Sequence, residues 1–296
     1  MKLLVTLCFM IASLTSLAAP GADRPDKAAL LMVHFGTTYD DTRALTIDAI
    51  NAKAAQAFPD MHVAEAYTSR IILKRLAARG VIKDTPREAL LKLAAEGYTH
   101  VFIQSTNIID GIEAAALREE TAYMAPFFKD LRIGYPLLYS VDDCRKVVDI
   151  LGRRHQPGRK GAVVLVGHGT ETPATAIYSQ IDYMFASEGK PQYHVATVEG
   201  YPTYETTVER LRAEKATDVL LLPFMFVAGD HARNDIAGEW KERLAADGFK
   251  AEAVMEGLGQ VPEIQDLFID HIRQGLKERP LSPVERKTTF LNSFND

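Results

Sequence analysis

Two glycine-flanked histidines in the second half of the chain have the setting of metal ligands. His168 lies in Val-Leu-Val-Gly-His-Gly-Thr, and His231 in Phe-Val-Ala-Gly-Asp-His-Ala-Arg-Asn-Asp. Each follows an apolar run that reads as a buried strand. Glu199, in Val-Glu-Gly-Tyr-Pro, follows a third such run. The ends of parallel strands converge on one rim of an open sheet, where such sheets bind ligands. Two imidazoles and a carboxylate suit a divalent transition metal with open coordination positions. Taken singly, His168 reads equally well as a strand-end histidine satisfied by its neighbours. Glu199 alone also reads as an exposed residue ahead of a Gly-Tyr-Pro turn. His231 is the hardest to explain by packing, because it ends the longest apolar run beyond the N-terminal stretch. Asp230, or Asp235 one turn later, is placed to orient its second ring nitrogen.

The elements that must position these residues follow from the hydrophobic pattern. Strands are predicted at 28–35, 62–66, 100–106, 132–134, 162–166, 193–198, 218–227 and 251–255. Helices are predicted at 39–58, 70–79, 85–96, 111–127, 141–155, 173–187, 204–215, 234–247 and 261–278. This alternation implies an α/β fold of two similar doubly wound parallel-sheet domains. The turn-rich stretch 156–161 divides an N-terminal α/β domain at 28–156 from a C-terminal one at 161–279 that carries the metal-like set. The tail, 280–296, is expected to lack regular structure.

The two halves echo one another. Met32-Val-His-Phe-Gly-Thr-Thr resembles Leu165-Val-Gly-His-Gly-Thr-Glu, and Pro59-Asp-Met-His-Val-Ala resembles Pro191-Gln-Tyr-His-Val-Ala. Tyr98-Thr-His-Val, leading to Glu113, resembles Ala216-Thr-Asp-Val, leading to His231. Three matches in one order indicate an internal duplication. In that alignment Phe35 stands opposite His168, Tyr67 opposite Glu199 and Glu113 opposite His231. Only Glu113 could ligate a metal in the first half, so the fold itself does not require the second-half set.

Composition narrows the function classes. The 296 residues are 47% hydrophobic and 25% charged, ordinary values for a globular protein. A net charge of -5, without a basic stripe, argues against a nucleic-acid partner. Lys2 and the apolar run 3–17, ending in Ser16-Leu17-Ala18, read as a signal peptide over 1–19, cleaved on export to the periplasm. The run is too short to span a bilayer, so no membrane anchor is expected after cleavage. Of the two cysteines, Cys8 leaves with the leader, and Cys144 reads as core packing in an amphipathic helix. The chain has no nucleotide-binding glycine loop, dinucleotide fingerprint or nucleophile elbow, so metal chemistry here should need no ATP. Of the other histidines, His62 and His194 read as structural and His155 and His271 as surface residues. His34 lies near the first-half rim, where it could line a ligand, and His100 opens a strand.

The segments Phe35-Gly-Thr-Thr, Ala66-Tyr-Thr-Ser, Val166-Gly-His-Gly-Thr, Val198-Glu-Gly-Tyr-Pro and Val227-Ala-Gly-Asp-His-Ala-Arg-Asn-Asp resemble the anaerobic sirohydrochlorin cobaltochelatases. These are class II chelatases with a ferrochelatase-like fold. They span nearly the whole chain after the leader. The resemblance implies ATP-independent insertion of cobalt(II) into sirohydrochlorin, a tetrapyrrole substrate, on the way to cobalamin. Iron(II) and nickel(II) suit the same ligands. It places the metal-binding and catalytic set on His168, Glu199 and His231. Gly36, Thr37, Glu113, Thr170 and Arg233 are candidate contacts to the macrocycle and its carboxylates. The chain departs from the family at Asn107-Ile-Ile-Asp-Gly-Ile-Glu113, where a His-x-x-Pro-Gly-Glu-like segment is usual, and in its export signal. A homo-oligomer is expected. The alternative is a periplasmic carrier of haem or metal without turnover, with His100 as an axial haem ligand. Metal binding needs neutral imidazoles and should weaken below about pH 6.

Overall fold

The computed structural model describes residues 24–278 and 283–292. The expected leader, 1–19, lies outside them. The first half runs β1 (Ala28–His34), α1 (Asp40–Arg43), a π-helical stretch (Ala44–Asp48), α2 (Ala49–Ala57), β2 (His62–Tyr67), α3 (Arg70–Ala78), α4 (Pro86–Ala95), β3 (His100–Ser105), α5 (Ile112–Met124), β4 (Asp130–Ile133) and α6 (Val141–Arg154). The second half runs β5 (Gly161–Gly169), α7 (Ala176–Ser187), β6 (Tyr193–Glu199), α8 (Tyr204–Ala213), β7 (Asp218–Pro223), a π-helical stretch (Ala232–Trp240), α9 (Lys241–Ala246), β8 (Lys250–Ala253) and α10 (Pro262–Lys277). A last helix, α11 (Pro283–Asn292), occupies the tail that was expected to lack regular structure. No helix among the described residues is long and apolar enough to cross a membrane.

Each half builds one four-stranded, fully parallel sheet. The orders are β2-β1-β3-β4 and β6-β5-β7-β8, the same in both halves, as a duplication requires. Strand residues alternate between two faces. Leu30 and Met32 of β1 join Val163 and Leu165 of β5 in one core shared by the two halves. Ala29, Leu31 and Val33 face an outer core under α4 and α5. Ala162, Val164 and Val166 face another under α8 and α9. Both faces of each sheet are therefore covered, which is why these strands read as unbroken apolar runs.

The two sheets divide where the turn-rich stretch falls, but the helices do not respect that division. Helix α10, the last of the second half, packs on α2, α6 and β3. Arg132 of β4 donates to the Gly275 carbonyl at 2.8 Å, and Lys53 of α2 donates to the Pro262 carbonyl at 3.0 Å. A Cβ on Gly275 would stand 2.3 Å from the Phe102 ring, so the helix lies directly on β3. In the other direction, α6 packs on α7. The Tyr193 hydroxyl donates to the Gly152 carbonyl of α6 at 3.2 Å. Between these exchanged helices, His271 of α10 and Asp143 of α6 lie 3.1 Å apart and buried. His271 is thus no surface residue. Its helix is wedged between the two halves, against α2, α6 and β3. His155, also read as surface, sits half-buried 3.2 Å from Glu256.

The repeat alignment holds in two strands and slips in the third. Ala28 pairs with His100 and Gly161 with Asp218, which sets Phe35 opposite His168. Leu30, however, pairs with Val63, while its counterpart Val163 pairs with Tyr193. That is two residues away from the Pro59–Pro191 match. Ser69, rather than Tyr67, therefore stands opposite Glu199. Ser69 is the N-cap of α3, its hydroxyl accepting from the Ile72 amide at 3.4 Å.

Candidate metal centre

His168 sits at the end of β5, between two glycines with distinct tasks. A Cβ on Gly167 would stand 2.3 Å from the Tyr178 ring. One on Gly169 would stand 1.5 Å from the Glu199 carbonyl oxygen, and Gly169 has a φ of +91°. No side chain fits either position, and the second also needs the left-handed backbone that glycine alone adopts freely. The two glycines let the β5 end lie against β6 and against α7. Gly169 pairs with Glu199 in the ladder, so His168 and Glu199 share one rim of the sheet.

His231 reaches the same rim along a different path. The expected strand over 218–227 stops at Pro223, which has no N–H to continue a ladder. The Met225 and Phe226 carbonyls then accept from the Leu258 and Gly259 amides at 2.8 and 2.9 Å. This turns the chain away from β5 and delivers His231 to the start of the π-helical stretch. That stretch replaces the regular helix expected from residue 234; π-turns concentrate at functional sites.

The two imidazoles meet edge to face, with ring centres 4.6 Å apart at 89°. His231 Nδ1 lies 2.9 Å from Asp235 Oδ2, and His168 Nδ1 lies 3.3 Å from its neighbour's carbonyl, Gly169 O. Both partners are pure acceptors, so each Nδ1 is a protonated nitrogen, and in the neutral ring the lone pair belongs to Nε2. That is the state a metal ligand needs. Of the two carboxylates considered for orienting His231, the structure selects Asp235. The Glu199 side chain is exposed, and it reaches this rim through its backbone. Among the described residues, no three His, Cys, Asp or Glu side chains close into a metal-sized cluster. The structure thus joins the two imidazoles and leaves Glu199 beside them.

Asp230 has another partner set, which the sequence did not signal. The Tyr39 hydroxyl donates to Asp230 Oδ1 at 2.9 Å, and Arg75 donates to Oδ2. These two contacts hold the Asp230 carboxyl below the usual carboxylate range, the tyrosine contributing most. Arg233 stacks over the Tyr39 ring at 4.1 Å and lies 3.6 Å from Asp41. The segment around His231 is thereby docked on α1 and α3 of the first half.

The remaining candidates scatter. Gly36, at φ +98°, makes a turn over the Tyr67 ring, which a Cβ would approach to 2.5 Å. Thr37 is buried and accepts from the Tyr39 amide at 3.2 Å, while Thr170 accepts from the Thr172 amide at 3.3 Å. These three build the rims in this structure. Glu113, in the first turn of α5, lines a cleft of about 210 Å³ with Thr68 and Arg70. His100 lies at the opposite, N-terminal rim of the first sheet, 3.0 Å from Thr99 Oγ1. His34 is 1% exposed and does not line a ligand surface. It sits 3.0 Å from both Thr106 Oγ1 and Asn51 Oδ1, and burial pushes its pKa down to about 4. An unbroken apolar run does not reveal which of its residues are sealed, so this burial was not visible beforehand.

Comparison with known proteins shows the family of this chain. The cobalt chelatase (CbiK) family model matches residues 28–277, both sheets and both exchanged helices. The chain belongs to the CbiK cobalt chelatase family. Over 257 residues it is 40% identical to the sirohydrochlorin cobaltochelatase of Salmonella typhimurium, covering 84% of this chain and 97% of that protein. It is 32% identical over 254 residues to the sirohydrochlorin cobaltochelatase CbiKC of Nitratidesulfovibrio vulgaris, covering 83% and 89%. The fold matches SirB from Bacillus subtilis with Fe3+ at a TM-score of 0.61 and 15% identity, over 84% of this chain and 95% of that one. It also matches a cobalt complex of SirB from Bacillus subtilis subspecies spizizenii at 0.59 and 15% identity, over 84% and 94%. This CbiK chain thus shows the two-sheet α/β architecture of solved chelatases.

Proposed function

We propose that this CbiK-family protein inserts cobalt(II) into sirohydrochlorin without ATP. The reading rests on family membership and on one observation. His168 and His231 abut at the sheet rim, each with Nδ1 tied to an acceptor and Nε2 free to donate an electron pair. The two Nε2 atoms take cobalt(II) from solution, and the Glu199 carboxylate swings in as a third ligand. Few protein ligands leave the metal open positions, so pyrrole nitrogens can replace them one at a time. The balance is simple: one cobalt(II) enters the macrocycle and two pyrrole protons leave. Each imidazole released by the metal regains a lone pair that can accept such a proton. The same donors accept iron(II) and nickel(II).

The test follows the absorbance of sirohydrochlorin with cobalt(II) and no nucleotide. Wild type is compared with His168→Ala, Glu199→Ala and His231→Ala. Insertion should fall at least about a hundredfold in either histidine variant, the usual scale for removing a group that acts directly. Equal insertion by all four proteins would reject the assignment. Export to the periplasm is part of the same proposal, supported by the Lys2 and 3–17 leader pattern. Cell fractionation with N-terminal sequencing of the mature chain checks it.

A further inference from the structure

Asp230 neighbours the metal-binding His231, yet both its oxygens are engaged by the opposite half of the molecule. Its partner Arg75 is 56% exposed in its side chain, and Asp230 is 39% exposed. Arg233, on the same segment, is 39% exposed and lies against an Asp41 that is 72% exposed. Water reaches all of these groups, and ion pairs in such settings hold weakly and exchange readily. A carboxylate from another molecule can make the same charge-assisted bonds to a guanidinium.

We propose that Arg75 is a substrate-binding residue, with Asp230 as its internal stand-in. In the free protein Asp230 occupies the guanidinium. When the macrocycle enters, one of its peripheral carboxylates takes Arg75 over, and Asp230 is released beside His231. The ligand class is a tetrapyrrole rimmed with carboxylates, so the inference rests on the chelatase reading. It adds a recognition element from the first half to a metal site built by the second. It also predicts effects of opposite sign for two residues that touch each other, which a purely structural ion pair does not.

The test is equilibrium binding of metal-free sirohydrochlorin, read from its fluorescence, so it does not depend on cobalt insertion. Removing the competitor in Asp230→Asn should tighten binding about three- to tenfold, and removing the receptor in Arg75→Gln should weaken it by a similar factor, the scale of one exposed charge pair. Arg75→Lys should recover part of the loss, and the double variant should behave like Arg75→Gln. The fully methyl-esterified macrocycle should not distinguish the variants. Thermal melts show whether each variant is folded. The inference is overturned if both single variants weaken binding alike, if neither changes it, or if the ester shows the same pattern. Normal binding with no cobalt insertion would instead reject the chelatase reading and leave this one standing.

Discussion

Gly169 and Glu199 are in contact so close that a single added carbon cannot be placed between them. The position of a Gly169 Cβ falls 1.5 Å from the Glu199 carbonyl oxygen. This contact seats the strand end carrying His168 against the strand end carrying Glu199. Gly169→Ala should therefore lose both cobalt insertion and stability. Forcing backbone apart at a left-handed position should cost about 3 kcal/mol or more, as at other strained and overpacked sites. Urea denaturation measures the loss. A variant with an unchanged midpoint would show that the rim can open without penalty.

Asp235 holds His231 by its Nδ1 at 2.9 Å and touches no other candidate ligand. Asp235→Ala should lower cobalt(II) affinity about ten- to a hundredfold, the range for second partners of metal-bound histidines. The melting temperature should barely move, because this exposed pair stabilises little. Isothermal titration with cobalt(II), set beside His231→Ala, checks this. Unchanged affinity would assign the orienting role elsewhere.

His34 gives the protein an acid-sensitive core. Burial lowers its pKa from 6.5 to about 4, so the folded state holds it neutral where the unfolded chain would protonate it. A depressed folded pKa means full stability above 6.5, lost as pH falls from 6.5 toward 4. The full effect is on the order of 3 kcal/mol at about 1.4 kcal/mol per pH unit. His34→Gln removes the titration. Its stability in urea should vary less than wild type between pH 7 and pH 4.5, even though the variant is weaker at pH 7. Parallel curves for the two proteins would place the acid sensitivity in other groups.

The Asp143–His271 contact ties α6 to α10. Asp143 also caps α6, accepting from the Ser140 amide at 3.0 Å. Asp143→Ala removes one half of the Ser140–Asp143 capping box and leaves His271 buried without this neighbour. A loss of about 2–3 kcal/mol is expected, for half a capping box plus a buried polar group left without its neighbour. Guanidinium denaturation reads it directly. A loss under about 1 kcal/mol, the value of an N-cap alone, would mean the histidine finds another partner.

Most of the scaffold was legible because it obeys periodicity. The central strands β1, β5 and β7 are apolar on both faces, and glycine or polar breaks mark their ends. His168 and His231 were legible for the same reason: each is a polar interruption just past such a run. Three things were not. The slipped repeat in β2 and β6 could not be seen, since a shift of two residues keeps every side chain on its own face. Ser69 therefore took the place assigned to Tyr67. The bridge from Tyr39 and Arg75 to Asp230 joins residues as far as 191 positions apart, and no local pattern encodes a meeting of two halves. The fate of α10 was likewise hidden. An amphipathic helix announces that it has a dry face but does not say which sheet will cover it.

The exchanged helices bear on how the molecule can move and come apart. Because α6 leans on the second half and α10 on the first, neither half is a closed unit joined to the other by a free tether. Cutting the chain at Gly158 would leave two fragments still interlocked, each gripped by the other's helix. Swinging the halves apart as rigid leaves would strip both helices from their seats at once. Room for a large flat guest must therefore come from the rims themselves, the turns after β1, β5 and β7, while the body behind them stays latched.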